Sequence, residues 1–327
     1  MHRYVMLRNP SSNRVYAGES AKLSAAELRA TAAFASEIAE ESIAGVGYLG
    51  FDAEPLGEAA AEIVAAQSTC LALFLREAEG LLRPVALPNP FVLDDDLVTI
   101  PKYQGKTNEQ FTRLLLNVTL AAVAREPDGR RQVLDPMAGR GTTLSAALMA
   151  GHDAYGVEAD AKAFEQFASF YKTYLRRKRL KHTADVRPVR RDGASLGRRF
   201  EATIGVPSGT LTVAAYTGDA RASAELFGKK RFDAIVTDAP YGVAHGASTE
   251  AGRDRSPAAL LRAAIPVWAH QLKHGGALGI SWNTFGLARE DLASVLAKAG
   301  LAVVDDGGFQ HRVDSSIKRD LIVAVRP

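Results

Sequence analysis

One segment limits the fold of this chain more than any other. Val133-Leu-Asp-Pro-Met-Ala-Gly-Arg-Gly-Thr-Thr143 runs from an apolar strand through an acidic residue and a glycine-rich turn into a helix. Gly139 and Gly141 let the backbone turn tightly and let a ligand approach with no Cβ in the way. Strand, tight turn and helix in that order form the unit of a parallel sheet, and the chain repeats it from Val98 onward. Strands are expected at 132–135, 153–157, 211–216, 232–237 and 277–283. Thr107-Asn-Glu-Gln110 carries a capping box that starts a helix over Phe111–Ala124, and a second helix is expected over Leu144–Ala150. Ala302–Val304, Phe309–Val313 and Asp320–Val325 read as antiparallel strands that close the sheet edge. The fold class expected is α/β, with a mostly parallel sheet and an antiparallel C-terminal edge.

Residues 1–92 read differently, as a small α+β unit. Strands are expected at Tyr4–Leu7, Val46–Phe51, Cys70–Leu75 and Leu81–Leu87, with helices at Lys22–Phe34 and Leu56–Ala66. Pro84, Pro88 and Pro90, followed by Asp94-Asp-Asp96, mark the passage to a second unit, residues 93–327. The single cysteine, Cys70, excludes an internal disulfide framework and a thiolate metal site. It points to a reducing, cytoplasmic compartment, and no metal is expected. The first ten residues hold too short an apolar stretch for a secretory signal, and no run approaches the roughly 20 apolar residues of a membrane helix.

Charge is uneven along the chain. Acidic residues dominate from Glu19 to Glu79, whereas Lys172–Arg199 is strongly basic, with Arg176-Arg-Lys-Arg179 at its centre. Such a cluster attracts nucleic-acid phosphates by counterion release, and it reads equally well as a solvated helix face followed by a basic loop.

Ligands of open α/β sheets bind outside the carboxyl ends of the strands, where the loop after Asp135 must lie. The loop lacks the G-x-G-x-x-G pattern, which disfavours a pyrophosphate cofactor. A carboxylate at Asp135 suits the ammonium of the methionine part of S-adenosylmethionine, with Met137, Ala138, Gly139, Gly141, Thr142 and Thr143 around it. The next strand ends at Glu158-Ala159, where a carboxylate can accept both ribose hydroxyls; Asp160 competes for that role. Asp219-Ala220 ends a third strand, and Asp219 is placed to accept from the adenine amino group. Thr107 opens the capped helix, whose free N–H groups suit the methionine carboxylate. Lys106 beside it reads at least as well as a solvated turn residue.

Asp238-Ala-Pro-Tyr241 ends the strand Phe232–Thr237. An exocyclic amine on a heteroaromatic ring is a poor nucleophile because its lone pair is delocalised into the ring. Hydrogen bonds from the amine to the Asp238 carboxylate and to the Ala239 carbonyl would localise that pair. Pro240 fixes φ and holds the carbonyl in place. Tyr241 offers a flat face, and stacking on it is worth about 1–3 kcal/mol per base.

These segments resemble the tRNA guanine-N2 methyltransferase family, which is THUMP-associated and carries a D-P-P-Y motif. Leu134-Asp-Pro-Met-Ala-Gly-Arg-Gly-Thr142 matches its cofactor loop, and Ile235-Val-Thr-Asp-Ala-Pro-Tyr-Gly242 its catalytic turn, with Ala239 in place of the first proline. His311-Arg-Val-Asp-Ser-Ser-Ile-Lys-Arg-Asp320 is similar to its closing hairpin. The resemblance covers residues 95–327 and, in the N-terminal unit, only the ferredoxin-like start of the family's RNA-binding region. It implies a Rossmann-like methyltransferase sheet, S-adenosylmethionine as cofactor and an RNA substrate, tRNA before DNA. The same two motifs also serve DNA adenine-N6 or cytosine-N4 methyltransferases, and methylation of a protein amide or a small molecule is a third reading.

Overall fold

A computed structural model describes residues 1–11, 13–103, 105–124, 129–191, 194–240, 257–304 and 307–327. The first unit holds β1 (His2–Arg8), α1 (Arg14–Thr31), β2 (Ser36–Ile43), β3 (Val46–Ala53), α2 (Glu58–Ala66), β4 (Cys70–Arg76) and β5 (Leu82–Val85). Its strands form one antiparallel sheet in the order β2-β3-β1-β4-β5. That is the ferredoxin-like βαββαβ arrangement with β5 added at the edge.

The second unit begins with α3 (Asp96–Thr99) and α4 (Glu109–Ala121), then β6 (Gln132–Asp135), α5 (Thr142–Met149), β7 (Asp153–Glu158) and α6 (Ala161–Arg177). It continues with β8 (His182–Arg191), β9 (Ala194–Val206), β10 (Gly209–Thr217), α7 (Ser223–Phe227), β11 (Phe232–Asp238) and α8 (Pro257–Gln271). It ends with β12 (Leu272–Asn283), α9 (Arg289–Lys298), β13 (Ala302–Val303), β14 (His311–Arg312) and β15 (Lys318–Val325). The sheet order is β13-β15-β12-β11-β6-β7-β10-β9-β8, with β14 paired to β15. Its centre, β12-β11-β6-β7-β10, is parallel, and β15 runs antiparallel beside β12. This is the Rossmann-like arrangement expected of residues 93–327. Both faces are covered by helices, so the central strands are buried on both sides.

Three regions differ most from the sequence reading. The basic segment is no loop: β8 and β9 form a long hairpin that adds an antiparallel edge opposite the C-terminal one. Its arginines hid the strand pattern, and Pro188 sits on the outermost strand, where a ladder donor is dispensable. Strand β2 was missed because Ser-Glu-Ile-Ala-Glu-Glu-Ser-Ile offers no apolar face. Cross-strand ion pairs hold it instead: Arg3 and Arg76 reach Glu41, and Arg8 reaches Glu40 at 2.7 Å. Helix α1 starts eight residues before the expected Lys22, because the Asn13 side chain caps it by accepting from Val15 and Tyr16 N–H at 3.1 and 3.0 Å.

The two sheets share α1. Ala25, Leu28 and Ala32 pack into the small core, while Tyr16, Leu23 and Ala26 pack into the large one. A polar contact fixes the junction. The fully buried Glu27 carboxylate accepts from Ser68 N–H at 3.0 and 3.1 Å and from Asn117 of α4 at 2.7 Å, and burial pushes its pKa up. Asn108, which caps α4, donates to Ser11 at 3.1 Å. The first unit is thus anchored to the helix that begins beside Thr107. Among the described residues, no helix is long and apolar enough to cross a membrane.

Candidate active site at the switch point of the sheet

Strand order reverses between β6 and β11: from β6 the chain builds outward through β7 and β10, and from β11 it builds the other way through β12. Such a point leaves a crevice at the carboxyl ends of the strands, where open α/β sheets hold their ligands. The four acids singled out by sequence stand there on adjacent strands. Asp238 ends β11, Asp135 ends β6, Glu158 ends β7 and Asp219 follows β10. With strands about 4.8 Å apart, they form a row across the sheet.

A cavity of about 540 Å3 opens at the crevice, within the roughly 300–1,000 Å3 of small-molecule sites. On the β6 side Asp135, Met137, Ala138, Gly139, Thr142 and Thr143 line it, and on the β11 side Asp238, Ala239 and Pro240 do so. Thr107 belongs to the same wall. The two motifs therefore share one cavity. Gly141 is buried beneath it, and Glu158, Ala159, Asp219 and Ala220 lie outside its wall. Tyr241 lies outside the described residues.

Each acid has its own environment. Asp135 is 2% exposed and accepts from Met137 N–H at 3.0 Å and from the Thr237 hydroxyl at 2.8 Å. Burial dominates these bonds and pushes its pKa up to about 6. Glu158 accepts from Gly139 N–H at 2.7 Å and Asp160 N–H at 2.6 Å, so it braces the glycine turn. Asp160 caps α6 with its own side chain, which takes it out of competition for the Glu158 position. Asp219 is bound by Arg221 through Nε and Nη2 and by the Arg221 N–H, an arrangement that lowers its pKa.

Asp238 is clamped from two sides. Ser281 donates to Oδ1 at 2.7 Å and Thr107 to Oδ2 at 2.6 Å, while the Arg319 guanidinium stands 3.8 Å from Oδ2. Arg319 is itself 5% exposed and lies over the Phe111 ring at 4.5 Å. Thr107 was expected to serve the cofactor, yet its side chain goes to the Asp238 carboxylate and ties the start of α4 to β11. Lys106 is no solvated turn residue: its ammonium is held by the Val98 carbonyl and Glu109. Ala239 N–H donates to the Ser281 carbonyl at 2.8 Å, which keeps the turn in line with the sheet although its proline is missing.

Sequence reasoning missed Ser281 and Arg319. Register delivers both: Ser281 pairs with Asp238 across β11 and β12, and Arg319 sits opposite Asn283 across β12 and β15. It also passed over Tyr103 and Arg140, which face the cavity from the β6 side.

No protein-family model matches the chain. No curated protein matches it either. Among solved structures, TrmN from Thermus thermophilus is 13% identical over 100% of both chains, with a TM-score of 0.47. Fibrillarin from Aeropyrum pernix, solved with natively bound S-adenosyl-L-methionine, is 15% identical, with 78% of this chain and 94% of that chain covered and a TM-score of 0.39. Magnesium protoporphyrin IX methyltransferase (ChlM) from Synechocystis PCC 6803 is 14% identical, with 69% and 87% covered and a TM-score of 0.42.

Proposed function

We propose that the chain is a S-adenosylmethionine-dependent methyltransferase acting on an exocyclic amino nitrogen of a nucleobase, guanine N2 in tRNA. The observation that carries this reading is the single cavity shared by Asp135 and Asp238. The cavity wall suits the cofactor with a buried carboxylate for an ammonium and a glycine turn beside it, and the Glu158 carboxylate, at the end of the next strand and outside that wall, is assigned the ribose hydroxyls. When bound, S-adenosylmethionine supplies a methyl group on a sulfonium. Every other task falls to the protein. Asp238 and the Ala239 carbonyl accept the two amino hydrogens and localise the lone pair. Thr107 and Ser281 hold the carboxylate in one orientation, and alignment of this kind offers about 7–11 kcal/mol in principle. Residues 93–327 carry out the transfer, and residues 1–92 dock the RNA.

Asp135 gives this reading a pH signature. An ammonium binds only the ionised carboxylate, so cofactor affinity is expected to weaken as pH falls below about 6, by up to about tenfold per unit. Folding runs the opposite way, because a raised carboxylate pKa favours the folded state below the unfolded value of 3.8 and loses that advantage as pH rises through about 6. Calorimetric titration of S-adenosylhomocysteine from about pH 5 to 7 checks the binding limb. A flat profile in the wild type, or an unchanged slope in Asp135→Asn, would remove the ammonium role.

Neighbouring carboxylates neutralise much of the basic segment. Arg187 pairs with Asp185 at 2.8 Å, Arg199 with Glu201 at 2.5 Å, Arg198 with Glu165, and Lys178 with Asp94 and Asp96. Among the described residues no carboxylate pairs with Arg176 or Arg177, which end α6, or with Arg179 just beyond it, and the three are left for phosphates. Reversing these three to glutamate is expected to lower the slope of log affinity against log salt for RNA by about 2. An unchanged slope leaves them a solvated face. The acceptor class is read by incubation with labelled S-adenosylmethionine and unmodified RNA, DNA or protein. Label is expected in RNA, and label confined to DNA or protein overturns the RNA reading.

A further inference from the structure

Among the described residues, three cations line the cavity: Lys106, Arg140 and Arg319. Lys106 is held by Glu109 and Arg319 stands beside Asp238. Among the described residues, no carboxylate pairs with Arg140. It lies instead between the two positive-φ glycines, Gly139 and Gly141, and its guanidinium stacks over the Tyr103 ring at 4.5 Å. Tyr103 is itself fixed, its hydroxyl 2.9 Å from Thr142 Oγ1.

Stacking occupies only the face of a guanidinium. The five N–H donors lie in its plane and stay available at the edge, in the fork geometry that matches a carboxylate. A rigid aromatic platform therefore holds an unspent, planar anion receptor at the wall of the cavity. The first turn of α5, immediately after it, has no side-chain cap, so backbone donors point to the same end. Asp135 lines the same cavity with the opposite charge. A cation and a buried anion in one pocket suit a zwitterion.

We propose that Arg140 binds the α-carboxylate of the methionine end of S-adenosylmethionine, held in place by Tyr103, and so selects ligands that carry an intact amino-acid head. This rests on the methyltransferase reading above and adds the group that recognises the carboxylate, which the sequence reading had given to the start of α4. With Arg140 and Asp135 in these roles, the two charges of the amino-acid head meet two different side chains of the β6 wall.

Titration calorimetry with S-adenosylmethionine and with its decarboxylated form, which lacks only this carboxylate, tests the assignment. The wild type is expected to prefer the intact cofactor by about tenfold to a hundredfold. Arg140→Ala should erase that preference by weakening the intact cofactor alone, leaving the decarboxylated form within about twofold. Arg140→Lys, which keeps the charge and loses the fork, should retain part of the preference and guards against a folding defect. An equal loss for both ligands, an unchanged preference, or a loss of RNA affinity in place of cofactor affinity would each overturn the proposal. Binding of neither ligand by the wild type would instead bring down the cofactor reading on which it rests.

Discussion

Replacing Asp238 with alanine is expected to lower the rate of methyl transfer by at least about a hundredfold to a thousandfold, the scale on which enzymes lose rate when one positioned hydrogen-bonding group leaves the reacting centre. Cofactor affinity should stay within a few-fold. The separation follows from the geometry. The carboxylate sits on the β11 side of the cavity, held by Ser281 and Thr107 at 2.7 and 2.6 Å, whereas the glycine turn lines the β6 side. Asp238→Asn is expected to fail almost as badly, because its amide turns one acceptor into a donor facing either Thr107 or Ser281. Single-turnover rates and calorimetric affinities for both variants read the two effects separately. A collapse of cofactor affinity with the rate would show that the turn supports the pocket and does not act on the amine.

The second large effect lies beneath the cofactor loop. Gly141 has φ +85°, and a Cβ built there would stand 2.5 Å from two carbons of the Phe167 ring. Phe167 is 2% exposed and packed against Tyr171 and Phe200 at ring distances of 4.7 and 5.3 Å, so the ring has no room to withdraw. Gly141→Ala combines a left-handed residue, at about 1–2 kcal/mol, with overpacking of a filled core, at about 1–3 kcal/mol. Gly139→Ala is the control: its φ is +54°, but nothing lies within 4 Å of the added Cβ. Urea unfolding is expected to place Gly141→Ala about 1–3 kcal/mol below Gly139→Ala, the overpacking share of the cost. Equal stability of the two variants would mean that the turn, and not its contact with Phe167, sets the conformation.

Much of this was legible in the sequence, for identifiable reasons. Strand β6 could be read to the residue because its apolar centre, Val133-Leu134, is short and the segment is bounded by Arg131 and Pro136. The acids at strand ends could be read because a parallel sheet sends successive carboxyl ends to one edge. What stayed hidden depends on partners far away in the chain. Glu40 and Glu41 look like a loop until Arg3, Arg8 and Arg76 are folded beside them. Ser281 and Arg319 have no local signal, since only strand register brings them to Asp238. Asp219 shows the reverse limit, because its carboxylate is taken by Arg221, two residues away. Thr107 shows the same limit as Ser281 and Arg319: its helix was visible, but the carboxylate that its hydroxyl meets is 131 residues downstream.

The central claim is that this cavity places a methyl group on an amino nitrogen of a base. Nucleoside analysis of tRNA labelled by the wild-type protein tests it most directly. The account predicts N2-methylguanosine, absent when Asp238→Ala replaces the wild type. Label recovered on a ribose oxygen or a base carbon, with Asp238→Ala still active, would contradict it.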